Sequence, residues 1–228
     1  MFDIPDFLGW LLNPDNWQGR YGIPNLMQEH LLLTLGAIAL ATLVALPIGI
    51  AIGHFNRGTA LVVLLGSASR AIPTMGLLFA LVMAFGVQLR ELAVVIALVA
   101  IAFPPLLAGA YAGISAIEKH IPDSATAQGL TPWQLLRIVE IPLALPAIIG
   151  GFRIAWIQVT STVVLAPLAR LGGLGFGIIQ GLALRNFDQV VASALLIVLV
   201  TVLGDQLLGF AQKKQAFRLG NLLGGMSK

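Results

Sequence analysis

Residues able to do chemistry are few in this chain, and their spacing does not suit catalysis. His30, His54 and His120 are scattered and form no zinc pattern such as His-Glu-x-x-His, which argues against an intramembrane metalloprotease. Ser67, Ser69, Thr160, Ser161 and Thr162 have no His or Lys at a spacing that would activate a hydroxyl, so they read as caps of broken helices or as groups wetting a pathway. The glycines from Gly172 to Gly177 resemble a nucleotide loop only superficially, since no strand precedes them and no acidic residue follows at the required distance. No Gly-x-x-x-x-Gly-Lys-Ser/Thr run exists to cradle nucleotide phosphates. With no cysteine, thiolate catalysis, disulfides and Cys-ligated metals are also excluded. The expectation is a non-enzymatic chain that binds no metal or cofactor directly.

What must position these few polar groups is a hydrophobic scaffold. The 228 residues are 58% hydrophobic and only 10% charged, with mean hydropathy +0.93. A soluble domain carries about a quarter charged residues. The composition therefore specifies an integral membrane protein and excludes soluble enzymes, nucleic-acid binding and intrinsic disorder. The first thirty residues carry Asp3, Asp6, Asp15 and Glu29 against Arg20, the reverse of a secretory signal. Phe2, Ile4, Phe7, Leu8, Trp10, Leu11, Leu12 and Trp17, broken by Pro5 and Pro14, suit either an interfacial amphipathic segment over residues 1–30 or a loosely ordered tail.

Residues 31–53 carry no charge over more than the roughly 20 residues that cross about 30 Å of hydrocarbon, making a first span. Residues 59–87 are apolar but interrupted around Arg70 and Pro73, and read as one broken span; two spans would each have too few residues. Further spans are expected over 92–117, kinked at Pro104 and Pro105, over about 142–168, and over about 190–210. Residues 170–188 form a Gly-rich connection, and its Gly172 to Gly177 run is read as a re-entrant extracellular loop or a docking surface. The expected architecture is all-α with about five crossings, a transmembrane domain over 31–210 and a cytoplasmic tail over 211–228. Arg57, Lys119, Arg137, Lys213, Lys214, Arg218 and Lys228 then share one side, against Arg20, Arg90, Arg170 and Arg185. The positive-inside bias puts the C-terminus in the cytoplasm and the N-terminus outside.

The polar stretch 118–142 is too long for a connector, since helix connections usually take about 2 to 8 residues. Pro122 and Asp123 start one short helix, and Gly129 fits its left-handed end. Thr131, Pro132 and Gln134 start a second through a Thr-x-x-Gln capping box, with Pro142 closing the run. Leu130, Trp133, Leu135, Leu136, Ile138 and Val139 offer more apolar surface than water tolerates. Part must pack on the chain's own spans, and the rest is either a candidate docking face for another subunit or further packing within the chain.

The run Asp123-Ser124-Ala125, Gly129 and Arg137-Ile138-Val139-Glu140-Ile141-Pro142-Leu143-Ala144-Leu145-Pro146 resembles the Glu-Ala-Ala loop of permease subunits in binding-protein-dependent ABC importers. Asp123 stands for Glu and Ser124 for Ala. The likeness continues through Gly150-Gly151-Phe152-Arg153-Ile154-Ala155 and Leu171-Gly172-Gly173-Leu174-Gly175, and within the family is greatest to the osmoprotectant branch, which carries glycine betaine, choline, carnitine or proline. The resemblance implies a MetI-like permease fold in a bacterial inner membrane. It implies cytoplasmic ATPase subunits holding ATP and Mg, a second permease subunit and an extracytoplasmic substrate-binding protein as partners. It makes the two-helix loop the coupling element, with Asp123, Ser124, Ala125, Gly129, Leu130, Trp133 and Leu135 meeting the ATPase.

Other signals are weaker. Gly49-x-x-x-Gly53 and Gly109-x-x-x-Gly113 allow close helix approach and give little evidence for a dimer seam. Arg70, Arg153 and Asp205 lie in or beside spans and serve either as structural pairs or as a relay in an ion-coupled secondary transporter, which would usually show repeated halves. Trp156, Gln158, Thr160 and Thr162 form a polar-aromatic stripe that could line the passage, with core packing the alternative for Trp156.

Overall fold

The computed structural model describes residues 6–224. Readings that rest on Phe2, Asp3, Ile4, Pro5 and Lys228, and on the side chains of Ser69 and Arg70, lie outside the described residues. Every regular element among the described residues is helical. Asp6 caps the short helix α1 (Phe7–Leu12) by accepting the Gly9 N–H at 2.9 Å. A 3-10 turn, Pro14–Trp17, follows. The Trp17 indole donates to the Leu11 carbonyl at 2.7 Å and the Asp6 N–H to Asp188 at 2.7 Å, so this segment is a tethered helical turn rather than a loose tail.

The long helices are α2 (Ile23–Phe55), α5 (Arg90–Ser115), α8 (Ile141–Val163) and α10 (Phe187–Gly224). Four helical stretches among the described residues are long and apolar enough to cross a membrane. The broken span is a pair, α3 (Thr59–Ala71) and α4 (Thr74–Phe85), interrupted at Ile72-Pro73. Pro73 has no N–H and disfavours helix at the residue before it. At 1.5 Å per residue neither arm reaches across about 30 Å alone.

Several expected boundaries need correction. Helix α2 begins at Ile23 and contains the whole expected span 31–53. Pro142 does not close the second loop helix. The π turn Leu135–Glu140 widens the backbone just before it, the Ile141 N–H reaches Leu136, and the chain runs on into α8. Helix α8 ends at Val163, and a separate 3-10 turn, Ala166–Ala169, follows. The Gly-rich connection holds a helix of its own, α9 (Gly175–Leu184). Residues 211–224 continue α10.

The chain forms two compact units. One comprises Met1–Ala39, Ile72–Ile101 and Trp156–Leu203; the other comprises Leu40–Ala71, Ala102–Ala155 and Gly204–Lys228. In the second unit small residues set the helix spacing. A Cβ at Gly49 would lie 2.6 Å from the Leu107 carbonyl oxygen, and one at Gly109 2.8 Å from the Gly151 Cα. Both Gly-x-x-x-Gly motifs are thus spent inside the chain, joining α2 to α5 and α5 to α8. Ala110, Ile114, Ala144 and Ile148 fill the core beside them. In the first unit Leu26, Leu174 and Ile197 form an apolar cluster. His30, Thr34 and Thr160 are also buried there.

Candidate functional site

The polar stretch folds as a helical elbow within the second unit. Its first arm, α6 (His120–Ala127), starts two residues ahead of Pro122, which accordingly occupies the first turn where its missing N–H costs nothing. The arm ends in a Schellman arrangement: Gly129 N–H bonds Thr126 O at 2.9 Å and Leu130 N–H bonds Ala125 O at 3.3 Å. Gly129 has φ +90°, a conformation that costs an L side chain strain and glycine none. The second arm begins at once with α7 (Pro132–Gln134). Its capping box is complete, Gln134 N–H donating to Thr131 Oγ1 at 3.4 Å and Thr131 N–H donating to Gln134 Oε1 at 2.9 Å.

The elbow is fastened to α2 by a pair that sequence reading missed. His54 Nδ1 lies 2.6 Å from Glu140 Oε2, with both side chains largely buried. The carboxylate can only accept, so the Nδ1–H donates. Both residues stood in view, one ending the first span and one ending the polar stretch. Their meeting across 86 positions had no sequence signal.

Of the residues assigned to coupling, Asp123, Ser124, Gly129 and Trp133 are exposed, and Ala125 and Leu130 half-buried. Leu135 differs: it is 8% exposed and packs into the core, so it supports the elbow from beneath. Ile138, at 64%, is as exposed as Trp133 and joins it as surface. The Arg137 guanidinium carbon sits 5.6 Å from the Trp133 ring centroid, holding the indole by a cation–π contact.

The polar-aromatic stripe does not form one face. Residues two apart on an α-helix point roughly 200° away from each other. Trp156 and Thr160 are buried, the indole donating to Thr201 O at 3.0 Å, while Gln158 is exposed and Thr162 half-buried, with Thr162 Oγ1 donating to Gln158 O at 2.7 Å. Arg153 has a structural partner. Its Nε donates to Asp205 Oδ1 at 2.8 Å, its Nη2 to Asp205 Oδ2 at 2.9 Å and its Nη1 to Gln212 at 2.9 Å.

No cluster of His, Cys, Asp or Glu able to hold a metal occurs among the described residues. Residues 45–219 match the family model described as the inner membrane component of binding-protein-dependent transport systems. The glycine betaine/carnitine/choline transport system permease protein OpuCB of Bacillus subtilis is 31% identical, over 82% of this chain and 85% of that protein. The choline transport system permease protein OpuBB of the same organism is 30% identical over the same shares. The carnitine transport permease protein OpuCD of Listeria monocytogenes is 29% identical over 81% of this chain and 82% of its own. Among solved structures, a chain of the MetNI methionine ABC transporter in an inward-facing conformation superposes with TM-score 0.64 and 22% identity, over 90% of this chain and 98% of that one.

Proposed function

The chain belongs to the family of inner membrane components of binding-protein-dependent transport systems, and from that premise we propose that it forms the translocation pathway for a small osmoprotectant, such as glycine betaine or choline. It is a transport subunit and not the ATPase. An ABC importer of this kind works with ATPase subunits and a substrate-binding protein. The substrate class rests on the relatives whose printed names give glycine betaine, carnitine and choline. The observation that carries the mechanism is the elbow: two capped arms at a Gly129 bend, fastened to α2 through Glu140 and His54, with Trp133 and Ile138 uncovered.

In this reading the elbow lies in the cytoplasm, with Arg57, Lys119 and Arg137 near it, and the N-terminus faces outward. Closure of the ATPase pair pushes on Asp123, Ser124, Gly129, Leu130 and Trp133. The π turn and the His54–Glu140 bond pass that displacement to α8 and α2. Gln158 and Thr162 remain the pathway candidates, since they are polar and not buried in the core. A second permease copy or paralogue completes the passage against apolar faces such as that of α10, where Val198, Val202 and Phe210 are exposed.

The test is uptake of radiolabelled glycine betaine and choline by cells producing this chain with its ATPase and binding protein. ATP depletion should abolish accumulation and a protonophore that spares ATP should not. Accumulation that follows the proton gradient would overturn the reading in favour of a secondary transporter.

A further inference from the structure

The Gly-rich connection and the chain leading into α2 enclose a cavity of about 360 Å³, all within the first unit. This volume lies in the range of small-molecule sites, roughly 300–1,000 Å³. Its wall carries groups of opposite chemistry. Tyr21 and Phe176 are stacked, ring centroids 4.4 Å apart and planes 7° from parallel. The Arg20 guanidinium carbon stands 5.9 Å from the Tyr21 centroid, so the ring already accepts a cation at its face. Glu29 supplies a carboxylate, and Arg20 and Arg170 supply guanidinium groups.

The carboxylate is held by the backbone. The Gly173 N–H donates to Glu29 Oε2 at 3.1 Å. A Cβ at Gly172 would overlap that same carboxylate, so the position takes a glycine because Glu29 occupies the space a side chain would need. Glu29 pairs with no Arg or Lys among the described residues. The carboxylate is therefore fixed in place in a cavity that also carries the guanidinium groups of Arg20 and Arg170, with no ion pair joining them.

We propose that this cavity is a binding site for a small zwitterion. The ligand's cationic head lies between Glu29 and the Tyr21–Phe176 stack, and its carboxylate faces Arg20 and Arg170. Cation–π attraction and the carboxylate favour the head, and guanidinium groups favour a carboxylate. If the N-terminal side faces outward, as the function proposed above requires, the cavity receives solute from the binding protein before it enters the passage.

The complete importer, without its binding protein, is reconstituted in nanodiscs of phosphatidylethanolamine and phosphatidylglycerol, and equilibrium binding of radiolabelled glycine betaine is measured. Saturable binding is expected. Tyr21→Ala and Glu29→Gln should each weaken it by about tenfold, and Tyr21→Phe by no more than about twofold. In whole-cell uptake the first two should raise KM. Equal binding by wild type, Y21A and E29Q, or no saturable binding by an importer that accumulates glycine betaine, overturns the site. An importer accumulating no quaternary ammonium solute overturns the osmoprotectant reading alone; the cavity then stands or falls on saturable binding of proline.

Discussion

His54, at the end of α2, and Glu140, at the end of the π turn, meet in a hydrogen bond of 2.6 Å between largely buried side chains. It ties the second arm of the elbow to another crossing. Replacing Glu140 by Ala removes the acceptor and leaves the imidazole N–H without its partner, which should cost about 1–3 kcal/mol. Thermal unfolding of the purified protein in detergent should show a lowered midpoint. Transport should fall further than the amount of folded protein in the membrane.

Gly129 tests the bend itself. Nothing lies within 4 Å of a Cβ built there, so a larger residue meets no clash and only the strain of φ +90°. That strain is about 1–2 kcal/mol for an L residue, and Asn tolerates it better than Val. Gly129→Val should insert into the membrane yet stimulate little ATP hydrolysis on solute delivery, with Gly129→Asn intermediate. A Gly129→Val importer with normal uptake and normal stimulated ATPase would contradict the coupling role.

Trp133 is 64% exposed, and the Arg137 guanidinium stacks on its ring. Trp133→Ala should therefore leave the unfolding temperature unchanged while weakening ATPase attachment, read by co-purification of the ATPase with the membrane subunits. Trp133→Cys should crosslink to that subunit in intact cells.

The Arg153–Asp205 pair is bidentate, and Gln212 braces it by also donating to the Pro146 carbonyl at 2.8 Å. Removing either charge strands the other, so Arg153→Met or Asp205→Leu alone should destabilise by about 1–3 kcal/mol. The double substitution should cost less than the sum. If uptake survives in the double variant at a rate matching its folded amount, the pair is structural; complete loss from a well-folded double variant would favour a relay.

Gly109 marks where α5 touches α8. A Cβ there would sit 2.8 Å from the Gly151 Cα and 3.0 Å from the Ala147 carbonyl oxygen, backbone that cannot turn aside. Gly109→Val should cost about 1–3 kcal/mol through overpacking, visible as reduced yield of folded protein. Substitution at Gly36, which has open space around its missing Cβ, should be tolerated.

Much of this molecule is legible without coordinates. Long charge-poor runs must become helices where lipid offers no hydrogen bonds, and Pro73 breaks the second of them because it lacks a donor. The bend at Gly129 and the capping box at Thr131 and Gln134 follow from local rules over a few residues. Pro142 does not end the helix, because the π turn at Leu135–Glu140 widens the backbone ahead of it and the chain runs on into α8. The helix α9 was hidden by glycines. Gly177 and Gly181 there face Ser193 and Val190 of α10, so small residues that weaken an isolated helix are what lets this one pack.

The amino-acid order alone determined that the chain is a helical membrane protein with no catalytic machinery and with a bent, capped pair of short helices. Those properties depend on composition and on neighbours a few positions apart. Tertiary structure alone decided that Glu140 meets His54, that Arg153 meets Asp205, that Leu135 is covered while Ile138 is not, and that Glu29 is seated on Gly173 beside Tyr21 and Phe176. Such pairings depend on how each long helix is rotated about its axis, and a nearly uniform apolar sequence leaves that rotation to the packing of its neighbours.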